Sequence, residues 1–147
     1  MIYVISPYTK TNHEVTFAAN ARAVKALQAL TKQPVYSPVV YGHSLDKATQ
    51  KDESWAWWME HCIGMLKQAK SAVVLPLQGW RESAGLDYEM EFCRRHSTPY
   101  VFARSDYMQQ AVGLHGFDWT YADEAAEQSR RTRMIAAIIS DHQDTKL

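Results

Sequence analysis

A chain of 147 residues is long enough for one domain with a sizeable core and too short for two comfortable ones. Lys plus Arg and Asp plus Glu both number 16, so no global charge points to a nucleic-acid polymer or an acidic membrane. No apolar run approaches the roughly 20 residues of a membrane span, and Cys62 and Cys93, the 2 cysteines, form neither a disulfide framework nor a zinc knuckle.

The strand-like Ile2-Tyr3-Val4-Ile5 begins at once, which leaves no room for a signal peptide and makes a reducing cytoplasm the expected setting. Pro7 stops this first strand. From His13 to Leu30 an alanine-rich stretch places Val15, Ala19, Ala23, Leu27 and Leu30 at helical spacing. Gln33-Pro34 breaks the helix, and Val35 to Val40 reads as a second strand that Pro38 cuts short. Tyr41 to Glu53 reads as a polar loop carrying Gly42, His43 and Asp46, and long loops in compact domains often serve as lids or binding loops.

Trp55 to Ala69 is the second predicted helix, with Trp55, Trp58, Cys62, Met65, Leu66 and Ala69 as an apolar stripe of core character. A buried strand follows over Ser71 to Leu77. A loop and a helix to about His96 come next, and Thr98 to Phe102 makes a fourth strand. Ser105 to Val112 reads as a short helix, Gly116 to Thr120 as a fifth strand, and Asp123 to Ser140 as a last helix. Strands alternating with helices predict a single α/β domain over residues 1–147: a doubly wound, parallel, five-stranded sheet with flavodoxin-like order 2-1-3-4-5. Ligands of such sheets sit at the carboxyl ends of the strands. That edge would gather Ser6, Pro7 and Tyr8, the segment around His43, and Leu77 to Gly85.

The stretch from Gly79 to Phe92 holds the chemistry. Ser83 reads as an N-cap, and Gly85 leaves the first helical turn without a side chain, so exposed N–H groups there suit an anion such as a phosphate. Glu89 lies at i+4 from Gly85 and shares its face, which opens space for a ligand over the carboxylate. The bland alternative is a solvated helical glutamate in an ordinary strand–loop–helix unit. Trp80 is a stacking platform for a nucleobase or else a packed wall. His43 is a general acid, a base contact or a solvated histidine. Cys93 and His96 are too few to hold a metal, and Arg130, Arg131 and Arg133 read as a solvated helix face.

Ile2-Tyr3-Val4-Ile5-Ser6-Pro7-Tyr8 resembles the opening strand and turn of the nucleoside 2-deoxyribosyltransferase-like superfamily. Ser83-Ala84-Gly85-Leu86-Asp87-Tyr88-Glu89 resembles that superfamily's serine-x-glycine-x-x-tyrosine-glutamate signature. With Gly79-Trp80-Arg81-Glu82 ahead of it, the motif is similar to that of a small group of bacterial and phage proteins. The resemblance covers about the first two-thirds of the chain and ends near Ser105. It implies that Glu89 is a catalytic nucleophile, attacking the anomeric carbon of a nucleoside or nucleoside 5′-monophosphate and expelling the base. Water, or a second base, would then take the glycosyl group. Tyr3 would be a second catalytic residue, donating a hydrogen bond that holds Glu89 anionic. Ser83 and Gly85 would bind a 5′-phosphate or a sugar hydroxyl.

The chain departs from the superfamily where an aspartate is usual, in the helix before the third strand. Counting back from Lys70 places Cys62 there, and a thiol of ordinary pKa about 8.5 is a weak substitute for that acid. Three alternatives stay open. Cys62 marks altered chemistry, or His43 or Asp46 supplies the proton, or Cys62 is a small core residue. The superfamily also implies a homo-oligomer. The proposed chemistry needs no metal or organic cofactor, and the expected partner is a small nucleoside or nucleotide. Two rival functions remain: a nucleotide-binding or sensing module without catalysis, and a partner-binding domain acting through its C-terminal third.

Overall fold

The computed structural model describes residues 1–103. The helix expected over 105–112, the fifth strand over 116–120 and the helix over 123–140 lie outside the described residues. In chain order the elements are β1 (Ile2–Ile5), α1 (His13–Thr31), β2 (Val35–Tyr36), α2 (Pro38–Thr49), α3 (Trp55–Leu66), β3 (Ser71–Val74), α4 (Ala84–Arg95) and β4 (Tyr100–Phe102). A 3-10 turn, Trp80–Glu82, precedes α4.

The described strands form one parallel sheet of order β2-β1-β3-β4. Tyr3 lies opposite Tyr36 on one side and Ala72 on the other. Every residue of β1 and β3 is buried, which is the pattern of central parallel strands covered on both faces rather than of an alternating half-exposed sheet. Helix α1 packs with α2, and α3 with α4.

Three expectations need correction. The segment read as a loop over Tyr41 to Glu53 is mostly helix: Ser37 caps α2 by accepting from the Val40 N–H at 3.2 Å, and Pro38 occupies the first turn. Its polar residues misled because they form the solvent face, where the Ser44 and Thr49 hydroxyls bond carbonyls four residues back. The second strand stops at Tyr36, just ahead of the Pro38 expected to cut it short.

The buried stripe of α1 is also rotated from the apolar reading. Thr16, Asn20 and Thr31 are buried beside Ala19, Ala23 and Leu27, while Leu30 is exposed. Hydrogen bonds make this possible: the Thr31 hydroxyl donates to the Leu27 carbonyl at 2.7 Å, and Asn20 satisfies its amide within the fold. Third, α3 ends at Leu66 rather than Ala69, with only Cys62 and Leu66 of its stripe fully buried. Trp55 stands 48% exposed.

Candidate active site

The segments that leave the carboxyl ends of the first three strands converge on one cavity of about 320 Å³. Ser6 and Tyr8 follow β1, Pro38 and His43 follow β2, and Ser83, Gly85 and Glu89 follow β3. Helix α3 closes the wall with Trp55, Trp58, Met59 and Cys62. The volume sits at the low end of the roughly 300–1,000 Å³ of small-molecule sites.

Glu89 lies in the middle of α4 and is 3% exposed. The fully buried Tyr3 on β1 donates its hydroxyl to Glu89 Oε1 at 2.5 Å, across 86 residues of sequence. The Cys62 thiol on α3 also favours the charged form of this carboxyl. Burial pushes the Glu89 carboxyl from an ordinary 4.5 up to about 8, and Tyr3 and then Cys62 pull it back only in part. The donor expected beside Glu89 is thus in place, but desolvation outweighs it. Burial, and then the negative charge of Glu89, raise the Tyr3 phenol well above its usual range and the Cys62 thiol to about 12. Both neighbours are therefore neutral at physiological pH.

Gly85 and Glu89 line the same cavity, as the i+4 spacing predicts. A Cβ at Gly85 would stand 3.6 Å from Met59 Cε and 3.7 Å from Trp55 Nε1, so the missing side chain leaves space among those residues. Ser83 caps α4, its hydroxyl accepting from the Leu86 N–H at 3.3 Å. Gly42 lets α2 approach α3: a Cβ there would come within 3.0 Å of the Trp58 ring.

His43 has both ring nitrogens engaged. Nδ1 lies 2.8 Å from the Tyr8 hydroxyl, and Nε2 lies 3.3 Å from Glu14 Oε1. Phe17 stacks on its ring at 4.5 Å, and His13 stacks on Tyr8 at 4.1 Å. A carboxylate only accepts, so a ring proton on Nε2 faces Glu14 while Nδ1 meets the Tyr8 hydroxyl. Asp46, Asp52 and Glu53 also line the cavity. Burial, then the charges of Asp52 and Glu53, raise the Asp46 carboxyl.

Seven of the residues singled out from sequence, Ser6, Tyr8, His43, Cys62, Ser83, Gly85 and Glu89, meet on this wall. Tyr3 reaches it through its bond to Glu89. Pro7, Gly79 and Trp80 do not line the cavity. Trp80 is no stacking platform: it is buried, its ring edge-on to Phe102 at 5.2 Å with the Arg81 guanidinium 4.6 Å over it. The cause is Gly79, whose φ of 90° turns the chain into the 3-10 helix that folds the indole inward. Cys62 is both core residue and cavity wall.

Sequence reading missed Asn20. Its Nδ2 donates to Ser6 Oγ and to the Thr16 carbonyl, both at 2.9 Å, and its Oδ1 accepts from the Ser37 hydroxyl at 2.9 Å. One buried amide thus ties the turn after β1 to the cap of α2. A polar residue between Ala19 and Ala23 was the available signal. Asp52, Glu53 and Met59 were missed as lining residues because nothing in their spacing marks them.

Among the described residues, no group of three or more His, Cys, Asp or Glu is placed to hold a metal ion, and no helix is long and apolar enough to cross a membrane. No curated protein matches the chain. A family model described as a domain of unknown function, DUF1937, matches residues 1–105, and the chain belongs to that family.

Proposed function

We propose that the protein cleaves the N-glycosidic bond of a nucleoside or nucleoside 5′-monophosphate, with Glu89 as nucleophile. The observation that carries this reading is the buried Glu89 carboxyl, held by the Tyr3 hydroxyl in the wall of a cavity of about 320 Å³. The resemblance of its Ser83 to Glu89 motif to the nucleoside 2-deoxyribosyltransferase-like signature adds the reaction class.

Ionised Glu89 attacks the anomeric carbon and stabilises the oxocarbenium-like transition state by its charge. Tyr3 fixes the direction of the carboxylate from below, being too buried to touch substrate itself. Gly85 leaves room for the sugar, and Trp55 and Trp58 offer faces to the base. Hydrolysis of the glycosyl ester completes the cycle; base transfer is the lesser variant, since one nucleoside fills a space of this size. Base release from a panel of ribo- and deoxyribonucleosides and their 5′-monophosphates, read by chromatography, tests the reading. Release that falls at least about 1,000-fold in Glu89→Gln supports it; release at the wild-type rate in that variant refutes it.

Cys62 supports a second reading, a module that binds a nucleotide without turning it over. Its thiol, raised to about 12, is no proton source for a departing base. Tight binding of one panel member without release, unchanged in Glu89→Ala, would establish it.

A further inference from the structure

Four carboxyl groups line the cavity, Glu89 at its floor and Asp46, Asp52 and Glu53 toward its mouth, and no Lys or Arg joins them among the described residues. Lys51 answers Glu53 from outside at 3.1 Å. The others act on one another: Asp52 and Glu53 raise the Asp46 carboxyl, and Asp46, Asp52 and Glu14 raise the Tyr8 phenol behind the effect of burial. A phosphate dianion entering this field is repelled, whereas a cation is drawn in. The aromatic side chains of Trp55 and Trp58 in the cavity wall add to that preference.

The side chains around Glu89 offer little acid to a departing base, and the raised Asp46 carboxyl stands with Asp52 and Glu53 rather than beside Glu89. Cys62 is a neutral thiol. His43 has one nitrogen on Tyr8 and the other beside Glu14, so neither is free to face a substrate. The Tyr8 hydroxyl is in turn engaged by His43 Nδ1 at 2.8 Å. A neutral nucleobase needs a proton to leave; a base already cationic at its glycosidic nitrogen does not.

Building on the glycosidase reading, we infer that the substrate is a nucleoside without a 5′-phosphate whose base carries positive charge at the glycosidic bond, an N-ribosylpyridinium or N7-alkylated purine type. Glu89 bonds to the anomeric carbon as the carbon–nitrogen bond breaks, and that bond's electron pair cancels the charge on the ring nitrogen. The base leaves as a neutral molecule. Water then attacks the same carbon, the Glu89 carboxylate departs, and the proton released from water passes to solvent. A cation over Glu89 also favours its ionised form, so binding itself prepares the nucleophile.

The test compares N-ribosylnicotinamide and N7-methylguanosine with neutral nucleosides and with 5′-monophosphates, using the full chain. A kcat/KM for a cationic member at least about 100-fold above every neutral or phosphorylated one is expected, lost in Glu89→Gln. Asp46→Asn combined with Asp52→Asn should raise KM for that member about tenfold. The uncharged C-riboside of benzamide, which fits the same space and cannot be cleaved, should compete at least about tenfold more weakly than the cation binds. Equal competition, or cleavage of a neutral nucleoside or a 5′-monophosphate as fast as the cation, overturns the inference and leaves the glycosidase reading standing. No release from any member overturns both.

Discussion

Glu89 is placed where a carboxylate is least comfortable, and two measurements should expose that. Its folded pKa of about 8 stands above the ordinary 4.5, so the native chain binds the proton more tightly than the unfolded chain between these values. Stability contributed at this position is therefore full at low pH, falls as pH rises from about 4.5 to about 8, and is level above. Glu89→Gln removes the penalty: the variant should match wild type near pH 5 and exceed it by an amount on the order of 4 kcal/mol above pH 8 in denaturant unfolding. Catalysis should run the opposite way. In the proposed reaction only the carboxylate attacks, so kcat/KM should climb with pH through about 8 and then level off. Tyr3→Phe deletes a donor to the charged form and should move that limb to higher pH, with kcat/KM at neutral pH reduced about tenfold or more. A limb that falls through the same range would make Glu89 an acid instead of a nucleophile.

At the scale of elements, the motif on α4 was open to reading because its chemistry is local. Ser83 as cap, Gly85 and Glu89 are bound by the helical period itself, and the structure keeps that order. Helix α2 was hidden by a different cause. Its burial is carried by Val39, Gly42 and His43 rather than by large aliphatic residues, so no apolar stripe announces it. Only the Ser37-Pro38 start is a visible signal, and the same pair also suits a strand end. The exposure of Trp55 on α3 was equally invisible, since helical period gives a face but not what covers it. Gly85→Ala tests the local reading without endangering the fold. The added methyl meets Met59 and Trp55 at ordinary contact distances of 3.6 and 3.7 Å, and alanine is the better helix former. Its thermal melt should be no lower than wild type, while KM rises about tenfold because the methyl enters the space over Glu89.

Across the whole molecule, the sheet's parallel order β2-β1-β3-β4 follows from the alternation of strands and helices, a pattern plain in the sequence. What joins the layers was less plain. Asn20 links β1's turn to the cap of α2 through Ser6 and Ser37, contacts separated by 14 and 17 residues that no local pattern records. Asn20→Ala takes one partner from each hydroxyl, leaving Ser6 its bond to the Pro7 carbonyl and Ser37 the Val40 N–H, and with the lost packing should cost about 2–4 kcal/mol in unfolding free energy. Because the same amide positions two walls of the cavity, the folded fraction should also bind substrate more weakly. A substitution that lowered stability with no change in KM would confine Asn20 to the fold.

The proposed reaction turns on a covalent bond between Glu89 and the anomeric carbon of a nucleoside. Acid-quenching the protein during turnover of a cleaved nucleoside, followed by proteolysis and mass spectrometry, reads it directly. A pentosyl increment is expected on the peptide containing Glu89, absent in Glu89→Gln. Steady turnover with no adduct on that peptide, and activity retained in Glu89→Gln, would contradict it.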